Sequence, residues 1–345
     1  MKRSLIILLF IPLLWCGSGC NDLLLEEVEP NTVLNNFDVF GQDFKEKYGL
    51  FKVREVNWPL LLEKYRAPLE ANPTEEDLYN ALTGIMVELD DSHVTLSHPT
   101  GQFKSFTGGI YGKLERAEYE DMDFELVKEK YLSIVDGLYE TIYYGMLEGN
   151  IGYIYLPMIH DEPDFFKSYI PGVIADLRDT QGLVIDIRNN EGGEDESART
   201  LASFFANERV LYMISRYKVG PGPDDFEEPR HWFVDPAEEE RYLKPIVLLT
   251  NRYSVSAAET FSLAMKSFPH VIQIGDTTTG AFSDVVSRQL PNGWGYSLSV
   301  GDYRNADGIS YEGVGLAPNI LIKNTPEDLA NGTDKMLEAA IERLK

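Results

Sequence analysis

The sequence predicts an α/β core with a largely parallel sheet, preceded by a small helical domain. Two observations carry this. From Ile151 onward, short continuous apolar runs alternate with helical patterns of about 10–15 residues, as in strands buried on both faces. Before that, in TEEDLYNALTGIMVELDD, the apolar residues Leu78, Ala81, Leu82, Ile85, Met86 and Leu89 recur at helical spacing.

Along the chain, Lys2 and Arg3 precede an apolar run from Leu5 to Trp15, well short of the roughly 20 residues that span a bilayer. Residues 1–19 are therefore expected to be a signal peptide. The stretch Cys16-Gly17-Ser18-Gly19-Cys20 resembles a bacterial lipoprotein signal, with Cys20 as the lipidated first residue and Gly17 a departure where a Leu-like residue is more usual. The alternative is ordinary cleavage at the small residues before Cys20. Either way the protein is expected to be exported to the bacterial cell envelope, anchored to the membrane if Cys20 carries lipid.

Residues 20–35 are acidic and aperiodic, and read as a tether. Residues 36–98 form the expected helical domain, with Thr74 capping the helix that follows it. Residues 99–150 read as a connecting segment with some β structure, and residues 151–345 as the core. In the core, NIGYIYLPMI, LVIDI, PIVLLT and HVIQIGD read as strands. ESARTLASFFA and AAETFSLAMKSF read as helices, and DFFKSYIPGVIADLRDT as a helix interrupted at Pro171-Gly172. The run VGPGPDDFEEPRHWFVDPAEEE reads as an exposed loop.

The chain has 345 residues, with 31 Lys+Arg against 56 Asp+Glu and a net charge of −25. No basic stripe offsets that excess, so nucleic acid is excluded as a partner. Two Cys and no pair of CxxC motifs imply neither a disulfide framework nor a structural zinc. His93 and His98, five apart, lack the i, i+4 spacing of a helical metal site. No cofactor is implied.

Two strand–turn–helix junctions can carry chemistry, because helix N-termini there present free N–H groups. In DIRNNEGGEDES, Gly192 and Gly193 can offer backbone N–H groups without a Cβ in the way. In TNRYSVSAAET, Ser256 stands just before a helix, where it could act as a nucleophile with the Ala257 N–H facing a developing oxyanion. The plain alternative is that Ser254 or Ser256 only caps that helix. His93, at the end of the amphipathic helix, is, taken alone, more often a plain surface or helix-end histidine.

Taken together, ELDDSHVTL, NIGYIYLPMI, LVIDIRNNEGG, LLTNRYSVSAAET, IGDTTTG and YEGVGLAPN stand in the order seen in the C-terminal-processing/tricorn-like serine peptidase family. FDVFGQDFKEKYGLF and VNWPLLLEKY also look like the N-terminal region of its exported members. The resemblance covers roughly residues 36–98 and 150–322. It implies a crotonase-like spiral of ββα units and hydrolysis of peptide bonds through an acyl-enzyme. The Ser/Lys branch of the family places its Lys directly after the glycine matched by Gly280. Ala281 stands there, so the resemblance is to the tricorn-type Ser/His branch.

By that resemblance Ser256 is the nucleophile, His93 the general base, and Ser92 and Glu312 the groups that orient and polarise the imidazole. Asn319 replaces a more usual Asp. The oxyanion hole would come from Gly192 or Gly193 with Ala257. About 50 residues between the helical block and the core are too few for the PDZ module of many members, so C-terminal-tail capture is in doubt. The implied partner is a peptide or protein substrate. A non-catalytic carrier on the same fold is the rival reading. A carboxylate-pair glycosidase has no positional signal behind it.

Overall fold

The computed structural model describes residues 30–138, 141–238 and 240–345. The expected signal peptide, Cys20 and most of the acidic tether lie outside the described residues. In chain order the first elements are α1 (Val33–Lys47), α2 (Trp58–Arg66), α3 (Glu75–Leu89), β1 (Thr95–Ser97), β2 (Phe106–Thr107), α4 (Gly109–Arg116) and α5 (Phe124–Leu126). The core follows with β3 (Val135–Leu138), β4 (Ile142–Leu147), β5 (Ile151–Tyr155), α6 (Pro163–Leu177), β6 (Gly182–Asp186), α7 (Asp195–Ser203), β7 (Val210–Tyr217) and β8 (Arg230–Val234). Then come β9 (Ile246–Thr250), α8 (Ala257–Met265), β10 (Val271–Gly275), β11 (Val285–Gln289), β12 (Gly295–Ser299), β13 (Gly301–Asn305), β14 (Ile320–Leu321), α9 (Pro326–Ala330) and α10 (Lys335–Leu344).

The central sheet has the order β14-β10-β9-β6-β5-β4-β3. Its strands from β14 to β5 are mutually parallel, and β4 and β3 add an antiparallel edge. The period-2 alternation of side chains splits each apolar run between two cores. Leu183, Ile185, Ile246 and Leu248 face α6, α7 and α8 on one side. Val184, Val247 and Leu249 face α10 on the other. That double burial is why these strands read as unbroken apolar runs. The sheet begins at Val135, N-terminal to the start at 151 expected from the sequence.

The helical block packs Phe37, Phe40 and Phe44 of α1 against Leu78, Leu82 and Ile85 of α3. Thr74 caps α3 through a reciprocal pair of bonds with Asp77 (3.2 and 2.8 Å). This second core also takes Trp294, Tyr296 and Leu298 from β12, which pairs with β1 in the sheet β11-β12-β1-β2. Residues about 200 positions apart in the chain thus share one layer.

Two local expectations are corrected. α6 runs unbroken through Pro171, because Ile170, Val173 and Ile174 are buried against the sheet and outweigh the lost hydrogen bond. Within the expected exposed loop, Arg230–Val234 is a strand paired with β7. Trp232 and Val234, two apart, are both buried there, a period-2 signal hidden by the surrounding Pro and acids.

Candidate functional site

β9 ends at Thr250, and a turn then delivers Ser256 to the start of α8. Ser256 adopts φ 60°, ψ −126°, a region that costs a non-glycine residue about 1–3 kcal/mol. Several bonds hold it there. Its N–H donates to the Ala281 carbonyl (3.1 Å) and to Glu259 Oε2 (3.3 Å). Val255 N–H donates to the Asn190 carbonyl (3.1 Å), and Thr279 N–H to that of Ser254 (3.0 Å). Ser254 is fully buried, its hydroxyl donating to the Ile187 carbonyl (2.8 Å), whereas Ser256 is half-buried on the wall of a cleft.

Gly192 and Gly193 face this turn. A Cβ on Gly192 would lie 2.6 Å from Ser256 Cβ, and one on Gly193 would lie 1.8 Å from the Ile159 carbonyl oxygen. Both therefore require glycine. Their N–H groups differ in use: that of Gly192 donates to Asn190 Oδ1 (2.9 Å), while Gly193 is exposed and lines the cleft. Ala257, first residue of α8, has an N–H with no intrahelical acceptor.

The cleft has a volume of about 590 Å³, and its lining includes Ser256, His93, Gly193, Ser283 and Asp284. His93 enters it from the turn between α3 and β1. Its N–H donates to Asp91 Oδ1 (2.9 Å), and its carbonyl accepts from Ser297 Oγ on β12 (2.6 Å). Its Nδ1 is buried without a hydrogen-bond partner among the described residues. Burial pushes the imidazole below its ordinary pKa. Asp91 and Asp284 pull it back up, Arg54 pushes it down, and the Ser283 backbone favours the protonated form.

Ser92 and Glu312, expected to orient and polarise the imidazole, make no hydrogen bond to the His93 ring among the described residues; each is bonded to backbone instead. Ser92 Oγ accepts from the Tyr111 N–H in the first turn of α4 (3.2 Å). Glu312 is buried, and its Oε1 accepts from the N–H groups of Phe282 (2.9 Å) and Ser283 (2.7 Å). Its Oε2 meets Arg54 Nη2 at 3.4 Å. Burial, reinforced by the charge of Asp91, raises the Glu312 pKa.

Three further residues of this region carry no motif of their own in the sequence. Arg54 lies between Glu312 and Asp91, 3.9 Å from Asp91 Oδ1, and also donates to the Asp90 carbonyl. Asp91 accepts from Tyr48 (2.9 Å) and Ser299 (2.7 Å) through Oδ2. Burial would raise its pKa, but Arg54 and His93 hold it below the ordinary carboxylate range. The Asx-turn spacing Asp91-Ser92-His93 was a readable signal for Asp91. Glu259 is the third. Fully buried, it accepts from Thr278 Oγ1 (2.5 Å) and from the N–H groups of Gly280 and Ala281 (2.7 Å each), besides Ser256 N–H. Burial pushes it up to about 7 against these donors. Its position three residues after Ser256, where a capping acid stands, was the available signal.

A serine on a strained strand-to-helix turn, a mainly neutral imidazole across the cleft and backbone N–H groups beside the serine form a set able to carry out acyl transfer. Among the described residues no cluster of His, Cys, Asp and Glu is arranged to hold a metal ion.

The chain belongs to peptidase family S41, whose model matches residues 150–322. Over 184 residues it is 29% identical to the carboxy-terminal processing protease CtpA of Bacillus subtilis, covering 52% of this chain and 37% of that protein. Over 199 residues it is 27% identical to the tricorn protease of Thermoplasma volcanium, covering 56% and 17%. The chain thus spans less than half the length of these two relatives. A solved structure of a putative peptidase from Parabacteroides merdae superimposes with a TM-score of 0.79 at 26% identity, over 91% of this chain and 97% of that one. Mature CPAF shares the fold at 14% identity and a TM-score of 0.69.

Proposed function

We propose that this protein is an exported serine peptidase in which His93 removes the Ser256 hydroxyl proton as Oγ attacks the scissile carbonyl. The Gly193 and Ala257 N–H groups receive the developing oxyanion, each donor contributing roughly 3–4 kcal/mol to lowering the barrier. His93 then protonates the leaving amine, and water, deprotonated by the same imidazole, releases the acyl group from Ser256. Glu312 acts as a positioning residue through the Phe282–Ser283 backbone, and Ser92 through its bond to α4. The observation that carries the reading is that Ser256 and His93, 163 positions apart in sequence, line one cleft beside Gly193.

Incubation with a serine-reactive fluorophosphonate tests it. Labelling of the wild type that is lost in Ser256→Ala and His93→Ala supports the proposal. A folded wild type that takes no label sinks it in favour of the carrier reading. Export and lipidation of Cys20 belong to the same proposal, supported by the apolar run before it. Radiolabelled palmitate that failed to enter the protein in cells would remove the anchor.

The base assignment sets the pH profile. His93 must be neutral to accept a proton, and burial lowers its pKa. The acid limb of kcat/KM is therefore expected to fall off below about pH 6.5, the ordinary histidine value. A limb centred above that pH, or a profile flat down to pH 4, contradicts it. Gly193→Ala places a methyl against the Ile159 carbonyl and turns the N–H away. Activity on casein should drop by about 100-fold or more, a loss of the size seen for one oxyanion donor.

A further inference from the structure

Beside the catalytic cleft lies a second, larger concavity of about 700 Å³. One wall is the turn after α1 together with the start of α2, contributing Phe51, Val56, Trp58 and Leu62. The facing wall is the loop after β7, with Phe226 and the exposed Pro221 and Pro223. The loop is held in shape by its own bonds: Val219 N–H to the Asp225 carbonyl (2.9 Å), Gly222 N–H to Asp225 Oδ2 (2.6 Å), and Lys218 to the Gly222 carbonyl. Lys52 pairs with Asp224 across the rim. Walls of proline and aromatic rings on a braced loop lose little freedom when a ligand settles between them.

The groove adjoins the cleft. Lys218 lines both, and the consecutive Lys47 and Tyr48 line the cleft and the groove respectively. Gly49 N–H donates to the Ser299 carbonyl and Lys218 N–H to that of Val300 (2.9 Å each), so both concavities share one backbone floor. The side of the cleft lined by Lys47 and Lys218 thus borders an apolar trough. The charged residues of the trough are Lys45, Lys52 and Lys218 against Glu55. A second copy of this chain is a poor occupant, because each copy carries a net charge of −25.

We propose that this groove is a distal substrate site. It holds an apolar, aromatic-bearing stretch of the same unfolded polypeptide whose bond lies at Ser256. The proposal rests on the peptidase reading for the word substrate, but the binding step can be measured without catalysis. The probe is reduced, carboxymethylated α-lactalbumin, which stays unfolded, carries a fluorophore and is added to the full chain bearing Ser256→Ala. Fluorescence anisotropy reads its binding. Val56→Asp on one wall and Pro223→Trp on the other, the second at an exposed loop position, test the groove from both sides.

Val56→Asp puts a charge into the apolar wall and Pro223→Trp fills the trough with a bulky ring, so each is expected to weaken binding by about tenfold or more, the scale of one apolar side chain kept from burial. In the chain with Ser256 intact, kcat/KM for the same polypeptide should fall equally, while fluorophosphonate labelling of Ser256 stays within about twofold. Unchanged binding in Pro223→Trp with its melting temperature preserved overturns the groove. So does a dimer, seen by sedimentation, that Val56→Asp dissolves, since the occupant is then a second copy. If Ser256 takes no label but groove-dependent binding persists, the peptidase reading fails and the binding site stands.

Discussion

Ser256→Ala is expected to reduce hydrolysis of casein by about ten-thousand-fold or more, the scale of loss when a nucleophile is removed and only binding and the oxyanion donors remain. The fold should survive, because alanine keeps the backbone bonds to Ala281 and Glu259. Alanine also inherits the strain of φ 60°. Ser256→Gly should therefore be the more stable of the two inactive variants, by about 1 kcal/mol, since glycine adopts that conformation without a Cβ clash. Both effects are read together by pairing a casein assay with thermal unfolding. Residual activity within tenfold of wild type would remove Ser256 from the chemistry. A glycine variant less stable than the alanine variant would mean that the turn is not strained.

Glu259→Gln should have the second largest effect, although this residue faces no substrate. Four donors converge on the Glu259 carboxylate from the Ser256 turn and from residues 278–281. An amide offers one acceptor oxygen and turns an NH₂ group toward the remaining donors, so at least one buried N–H loses its partner. Each such loss costs about 1–3 kcal/mol. The Ser256 turn would then be tied to the 278–281 loop only by the Ser256–Ala281 and Thr279–Ser254 backbone bonds, and the Ser256 hydroxyl would be less firmly placed. Activity should fall by about 100-fold or more, chiefly in kcat, with a lowered melting temperature. Glu259→Asp, which keeps four acceptor sites on a shorter arm, should recover part of both. Equal activity in Glu259→Gln and wild type would show that the backbone bonds to Ala281, Asn190 and Thr279 suffice to hold the Ser256 conformation.

The parts of this protein legible in its sequence are those governed by local periodicity. The buried face of α3, its Thr74 cap and the runs Leu183–Ile187 and Ile246–Thr250 follow from spacing that any stretch of chain displays by itself. The same holds for Ser256 at a helix start and for the glycine pair before α7. The strand Arg230–Val234 is not legible, because two alternating apolar residues are a weak signal among proline and acids. The sequence predicts a break in α6 because Pro171 acts locally, whereas the burial that overrides it is tertiary.

The sequence by itself thus determined the fold class, the family motifs and the residue types available for chemistry. Only the tertiary structure decided how they meet. Pairing of β1 with β12 brings Ser297 to the His93 carbonyl, and Arg54 crosses from the helical block to Glu312, 258 positions on. It also spent the Gly192 N–H on Asn190 while leaving Gly193 on the cleft wall. The physical reason is one of range. Side-chain periodicity is set by backbone geometry a few residues long, but the partner of a buried charge or an orphan N–H is set by whichever distant segment the packed core places against it.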